Sequence, residues 1–97
     1  MSKAQTLLGF ARKAGKLAVG TAAATDALKR KKAHLAITAS DISEKSSKEI
    51  RFLCEKNGIN FIKPELNTYD ITQAIGTRAG IIAVLDEGFA RAIAENL

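Results

Sequence analysis

The sequence predicts an α/β fold with a largely parallel or mixed sheet that carries helices on both of its faces. Helical and strand-like apolar patterns alternate along the chain in the order α β α β α β α β α. The 97 residues are enough for one domain and too few for a second hydrophobic core. The elements leave only short connections, as in a three-layer domain. We therefore expect one domain spanning residues 1–97.

The helices are predicted where apolar residues recur at helical spacing behind a capping residue. Ser2 is the expected N-cap of the first helix, and Gly15 ends it. Gly20 supplies the turn and Thr21 the N-cap of the second helix. The predicted helices cover residues 2–14, 22–31, 42–57 or 44–57, 67–75 or 68–75, and 87–97.

The later helices have their own start and stop signals. The third has two candidate N-caps, Asp41 and Ser43, because Asp41 and Glu44 have the spacing of a capping box. Asp86 is the expected N-cap of the last helix. The third and fourth helices are closed by glycines that tolerate the left-handed conformation, Gly58 and Gly76.

Four strands are predicted from short apolar runs rich in strand-forming residues. Pro64 stops the third run, and the fourth has the strongest strand character. The predicted strands cover residues 17–19, 34–39, 59–62 and 81–85.

Basic residues are concentrated in the first third of the chain. Residues 1–32 contain eight basic residues and one acidic residue, a net charge of +7, whereas residues 33–97 carry −2. A step of this size within one domain indicates a surface that faces a polyanion, most commonly RNA or DNA. The run Lys29-Arg30-Lys31-Lys32 also has a simpler interpretation, as a solvated helix end that complements the helix dipole.

The start of the second helix is a candidate phosphate site. A glycine turn entering a helix exposes backbone N–H groups at the positive end of the helix dipole. Small side chains leave that end unobstructed, although alanines are also simply good helix formers. Lys13 and Lys16 precede the turn and favour anion binding. The candidate residues of the turn are Gly20, Thr21, Ala22 and Ala23.

Nucleotide and catalytic sites have little support in the sequence. Gly9 and Gly15-Lys16 differ from a phosphate-binding loop in glycine spacing, and Leu17 replaces the hydroxyl residue that binds magnesium. His34 is the single histidine, and the lone Cys54 lies on a helix face expected to be buried. Because no candidate nucleophile stands out together with a general base, we expect a protein that is not an enzyme.

Targeting and metal-binding patterns are also missing from these 97 residues. No apolar run reaches the length of a signal peptide or a membrane span. One cysteine and one histidine cannot provide a disulfide or a zinc cluster. We therefore expect a cytoplasmic protein with no membrane association, no metal and no cofactor.

Several short motifs together resemble a known family. The sequence is similar to bacterial YlxQ-type members of the ribosomal-protein superfamily whose archaeal and eukaryotic relatives bind kink-turn RNA. The resemblance implies a three-layer α/β/α sandwich around a mixed four-stranded sheet. It also implies RNA binding and association with ribosomes or ribosome assembly. Its motifs are Leu7-Leu8-Gly9, Arg12-Lys13-Ala14-Gly15-Lys16-Leu17, Gly20-Thr21, Ala39-Ser40-Asp41, Ala74-Ile75-Gly76 and Asp86-Glu87-Gly88-Phe89-Ala90.

The family signature Gly-Thr-Asn-Glu is only half present. Gly20 and Thr21 match its first two residues, but the Asn and Glu positions are Ala22 and Ala23. Asp26 occupies the position of the usual lysine. The resemblance therefore implies recognition of RNA backbone and charge without the base-reading side chains. By the same resemblance, the backbone contacts fall on Lys13, Lys16, Gly20, Thr21 and Arg78, with Ile42 as apolar support.

The sequence thus predicts a non-catalytic RNA-binding protein that acts on ribosomal or another structured RNA. Scattered aromatic residues disfavour a sheet that stacks single-stranded bases, and recognition of RNA through backbone shape fits better. The alternative is a protein–protein interaction module on the same fold that has lost kink-turn recognition.

Overall fold

The computed structural model describes residues 2–97, so Met1 of the predicted domain lies outside the described residues. It confirms the alternating order of helices and strands. The helices are α1 (Lys3–Lys13), α2 (Thr21–Lys29), α3 (Glu44–Asn57), α4 (Thr68–Ile75) and α5 (Glu87–Glu95). The strands are β1 (Leu17–Val19), β2 (Leu35–Thr38), β3 (Asn60–Ile62) and β4 (Ile81–Val84).

The four strands form one mixed sheet in the order β1-β4-β2-β3. β4 runs antiparallel to both β1 and β2, whereas β2 and β3 are parallel. The carboxyl ends of β1, β2 and β3 therefore lie at the same end of the sheet as the start of β4. We call this the Thr21 end, because α2 begins there, and the other the Lys16 end, because β1 begins there.

Helices cover both faces of the sheet and confirm the predicted three-layer α/β/α sandwich. α1, α4 and α5 pack together on one face, and α2 and α3 pack on the other. Alternation along the strands divides the core between these faces. The first core includes Leu8, Ile37, Ile71, Ile82 and Ile93. The second includes Ala24, Leu28, Ala36, Ile50, Cys54 and Ala83.

Gly9 has a packing role at the contact between α1 and α4. A Cβ atom on this residue would lie 2.9 Å from the backbone oxygen of Ala74. That separation is too short for a carbon–oxygen contact, so a side chain here would push the two helices apart. The glycine that superficially resembled part of a phosphate loop therefore permits close helix packing.

Two predicted helix caps are wrong in part. Thr21 is the first helical residue of α2, and Gly20 occupies the N-cap position without a side-chain cap. Asp41 does not cap α3; Ser43 does, since its Oγ accepts a hydrogen bond from the N–H of Ser46 at 3.2 Å. The capping interactions of Ser2 in α1 and Asp86 in α5 are confirmed.

Some element ends also differ from prediction. α2 ends at Lys29 rather than at Lys31, because Lys31 adopts the left-handed conformation, with φ 57°. α5 ends at Glu95, so the predicted helical position of Leu97 is wrong. β2 starts one residue later and ends one residue earlier than predicted.

Thr38 offers a stability prediction. Its side chain is fully buried, and its Oγ1 has no hydrogen-bond partner within residues 2–97. Because an unpaired buried hydroxyl costs free energy, Thr38→Val is expected to raise the free energy of unfolding by about 1 kcal/mol in urea denaturation. Thr72→Val is the matched control, since the Thr72 Oγ1 accepts the N–H of Ala79 at 3.4 Å. A Thr38→Val protein less stable than the parent would contradict this account.

Candidate nucleic-acid interface

Three connections converge at the Thr21 end of the sheet: the β1–α2 turn, the β2–α3 loop and the α4–β4 loop. Two backbone hydrogen bonds join them, from Gly20 N–H to the Ile81 oxygen at 2.9 Å and from Ala39 N–H to the Gly80 oxygen at 2.7 Å. The three connections surround an open depression of about 410 Å³. Its lining residues are Gly20, Thr21, Ile42, Thr68, Arg78, Ala79, Gly80 and Ile81.

The beginning of α2 is open at this depression. Gly20 has φ 95° and ψ 164°, a conformation that L-residues rarely adopt, which explains why a glycine stands there. No side chain within residues 2–97 caps the helix, and its first turn contains no acidic residue. Thr21, Ala22 and Ala23 are exposed, so the unpaired N–H groups of the first turn face solvent. These features give the helix start the polarity that binds phosphate.

Ile42 is half-buried beside the same helix start, where Gly80 makes room for it. A Cβ atom on Gly80 would lie within 2.4 Å of the Ile42 Cδ1 atom, so any side chain at Gly80 would displace that methyl group. The Lys63 Nζ group donates hydrogen bonds to the Ile42 backbone oxygen at 3.2 Å and to the Ser47 Oγ at 3.0 Å. Lys63 therefore fixes the β2–α3 loop, and the sequence analysis missed it.

Asp41 joins the β2–α3 loop to the start of α4. The Thr68 N–H and the Thr68 Oγ1 donate hydrogen bonds to Asp41 Oδ1 at 2.9 and 2.8 Å. These two bonds favour the carboxylate and lower the pKa of Asp41 below its ordinary value. Asp41 thus positions a loop of the interface, a role for which the chain carries no local signal.

A pH dependence follows from Asp41. Because its folded-state pKa is lowered, the stability that it contributes is present above the ordinary carboxyl pKa and is lost as the pH falls through the folded value. Asp41→Asn should therefore lower the melting temperature at pH 7, and this difference should disappear near pH 2. Melting curves of both proteins across this range measure it. A difference that stays constant with pH would contradict the assignment.

Arg78 extends from the α4–β4 loop at the rim of the depression. It is exposed, and no carboxylate in the described part of the chain forms an ion pair with it. Its guanidinium group can therefore pair with a phosphate without first breaking a contact within the protein. The structure thus brings together four predicted site positions, Gly20, Thr21, Ile42 and Arg78.

Lys13 and Lys16 lie elsewhere. Lys16 stands before β1 and Gly20 after it, so the strand separates them by about 13 Å, at roughly 3.3 Å per residue. The Lys16 backbone oxygen accepts the Leu85 N–H at 2.8 Å, at the far end of β4. Lys13 ends α1 near that same end of the sheet. Both lysines precede the turn in sequence, but neither lines the depression that the turn forms.

Asp26 is paired on the exposed side of α2. Its Oδ1 lies 3.0 Å from the Arg30 Nε, and both side chains are largely exposed. The ion pair joins positions i and i+4 of the helix. The acidic charge that replaces the family lysine is therefore partly offset by a neighbouring guanidinium group.

The reactive side chains lie apart from this interface. Cys54 is buried in the second core, and burial raises the pKa of its thiol to about 11, which keeps it neutral at pH 7. Within residues 2–97, no three His, Cys, Asp or Glu side chains are grouped to hold a metal ion. Over the same residues, none of the helices combines the length and the apolar character needed to cross a membrane.

The order of elements and the open start of α2 agree with the family that the sequence resembles. Residues 2–94 match the ribosomal protein L7Ae/L30e/S12e/Gadd45 family. The chain belongs to this family. The match covers nearly every described residue, and the resemblance seen in the motifs is confirmed.

Relatives of this L7Ae-family chain include bacterial and eukaryotic proteins. It is 29% identical over 89 residues to a protein named RNA-binding protein YlxQ from Enterococcus faecium, covering 92% of this chain and 85% of that one. A solved structure from Bacillus halodurans, of a protein with unknown function, superposes with a TM-score of 0.92 at 29% identity. That superposition covers 98% of this chain and 96% of the other.

A solved structure with lower sequence identity shares the fold. The 15.5kD RNA binding protein of Giardia lamblia superposes with a TM-score of 0.73, covering 94% of this chain and 78% of that one. At 16% sequence identity, this likeness shows a shared fold.

Proposed function

We propose that this protein is a non-catalytic, cytoplasmic RNA-binding protein that contacts the phosphate backbone of structured RNA at the Thr21 end of its sheet. The uncapped start of α2, placed between Ile42 and Arg78, carries this proposal. The name of the Enterococcus faecium relative supports RNA as the ligand. We propose that the bound RNA is ribosomal RNA, either on the mature ribosome or during ribosome assembly.

Each part of the depression has a distinct role toward RNA. The N–H groups that follow Gly20 are oriented to donate to phosphate oxygens, and the helix dipole favours the negative charge. Arg78, which lines the same depression, adds a guanidinium group that can bind a phosphate with two hydrogen bonds. Ile42 supplies the apolar surface against which an unstacked base can pack.

The side chains of the first helical turn favour contact with the backbone over base reading. Ala22 and Ala23 are exposed and offer no hydrogen-bonding side-chain atoms to base edges. Contacts to phosphate and sugar position RNA but carry no sequence information. We therefore propose recognition of RNA shape, with weak dependence on base identity at this site.

Salt dependence tests the proposal. A hairpin RNA with a kink turn and an uninterrupted RNA duplex serve as probes. The affinity for the hairpin should fall about tenfold or more between 50 and 200 mM salt, because binding releases counterions from several phosphates. Arg78→Gln should lower the affinity for both RNAs by a similar factor. An affinity that barely changes with salt would overturn the proposal. So would the absence of measurable RNA binding by a protein whose protein partners remain bound after nuclease treatment.

A further inference from the structure

We propose that the Lys16 end of the sheet is a second RNA-contacting surface, which binds the backbone of the same RNA beyond the Thr21 end. The inference rests on the proposed RNA binding and adds a separate surface to it. This second surface lies where α1 and α2 both end. Its cationic side chains are Lys13, Lys16, Lys29, Lys31 and Lys32.

The sheet topology brings these two helix ends together. β1 and β2 begin at the same end of the sheet, on either side of the end of β4. Leu85 N–H binds the Lys16 oxygen at 2.8 Å, and His34 N–H binds the Val84 oxygen at 2.8 Å. Two strand spacings, about 10 Å, therefore separate the chain segments that follow α1 and α2.

The cations of this surface are available to a ligand. All five lysines are exposed, and within residues 2–97 none is ion-paired with a carboxylate. The acidic residues that follow β4 are already engaged. Asp86 accepts the Phe89 N–H at 2.8 Å as a helix cap, and Glu87 lies 3.5 Å from Arg91. The five lysines outnumber these two carboxylates, so the local field at this end of the sheet is positive.

Lys31 has a backbone conformation that its side chain does not favour. It is the residue after the C-cap of α2, with φ 57°, where glycine is the usual choice. The N–H of Lys31 binds the Leu28 oxygen at 3.1 Å, and the Lys32 N–H binds the Ala27 oxygen at 2.9 Å. A lysine kept at a strained backbone position favours a functional role for its charge, here in binding RNA.

The two surfaces lie within reach of one RNA. Gly20 and Lys31 flank the two ends of α2 and lie about 16 Å apart along its axis, at roughly 1.5 Å per residue. Between them, the exposed face of α2 carries Ala22 and Ala23, which allow a close approach, and Asp26, whose charge is offset by Arg30. A helical RNA stem that leaves the Thr21 end along α2 therefore meets the lysines at the Lys16 end.

The Lys31→Gly variant separates binding from stability. Because glycine relieves the left-handed strain, the melting temperature should rise. Affinity for a kink-turn hairpin with a long stem should fall about threefold or more at 100 mM salt, since one phosphate contact is lost. The combined variant Lys13→Gln, Lys16→Gln and Lys31→Gly loses three phosphate contacts, so the steepness of log affinity against log salt should decrease by roughly 2 to 3.

Two controls make the outcome decisive. Lys3→Ala removes an exposed lysine at the other end of α1 and should leave both the affinity and the salt slope nearly unchanged. Arg78→Gln reports on the Thr21 end. If the combined variant keeps the parent's affinity and slope while Arg78→Gln weakens binding, the second surface is overturned and the proposed function stands. Failure of the unmodified protein to bind either RNA would overturn both.

Discussion

Replacing Thr21 by glutamate is expected to make the protein more stable and a much weaker RNA binder. The first turn of α2 contains no acidic residue, so a carboxylate there would interact favourably with the helix dipole, by about 0.3 to 1 kcal/mol. The same carboxylate would repel a phosphate at that helix start. We expect a loss of about tenfold or more in RNA affinity, because two like charges about 4 Å apart repel by about 1 to 4 kcal/mol.

Thr21→Gln is the matched control, because it has nearly the same size and no charge. It should lose far less affinity than Thr21→Glu, and thermal melting of both variants checks the stability effect. Equal RNA affinity in the two variants would show that phosphate does not bind at the start of α2.

Replacing Gly9 by alanine is expected to cost about 1 to 2 kcal/mol of the free energy of unfolding. The added Cβ atom would lie 2.9 Å from the Ala74 oxygen, which is a rigid backbone atom of α4. Relieving that contact requires α1 and α4 to separate, which disturbs the packing of Leu8 and Ile75 in the same core. The gain of about 1 kcal/mol in helix propensity offsets only part of this cost.

Gly88→Ala provides the comparison within α5. Its Cβ atom would lie 3.2 Å from the Asp86 Oδ2 atom, which belongs to a side chain. This substitution should be close to neutral in urea unfolding. A Gly9→Ala protein as stable as the Gly88→Ala protein would show that the contact between α1 and α4 tolerates a methyl group.

Thr21 and Lys31 mark positions where binding is proposed to compete with local stability. The start of α2 lacks a side-chain cap, and the end of α2 is closed by a lysine in the left-handed conformation. Both features are locally unfavourable for the helix. Both leave a positive potential where RNA phosphate is proposed to bind.

The order of elements could be predicted from sequence because its signals are local. Apolar spacing, turn glycines and caps such as Ser2 all act within a few residues. Strand order and direction depend on pairing between distant segments, and local patterns left the sheet as parallel or mixed. The family resemblance supplied the mixed sheet that the structure shows.

The site was predictable only in part, for the same reason. Gly20 and Arg78, both predicted to bind RNA, line the same depression, but Lys13 and Lys16 were expected beside Gly20 because they are close in sequence. A three-residue strand places them at the other end of the sheet. Asp41 looked like a helix cap because Glu44 is three residues away, whereas its hydrogen-bond partner is Thr68, 27 residues distant. No local pattern reports such a pairing.

An NMR titration of the 15N-labelled protein with the kink-turn hairpin tests the central claim most directly. If phosphate binds at the start of α2, the amide resonances of Gly20, Thr21, Ala22 and Ala23 should show the largest shifts. Smaller shifts are expected around Arg78 and Gly80, which line the same depression. Tight RNA binding that leaves these α2 amides unmoved would contradict the proposed interface.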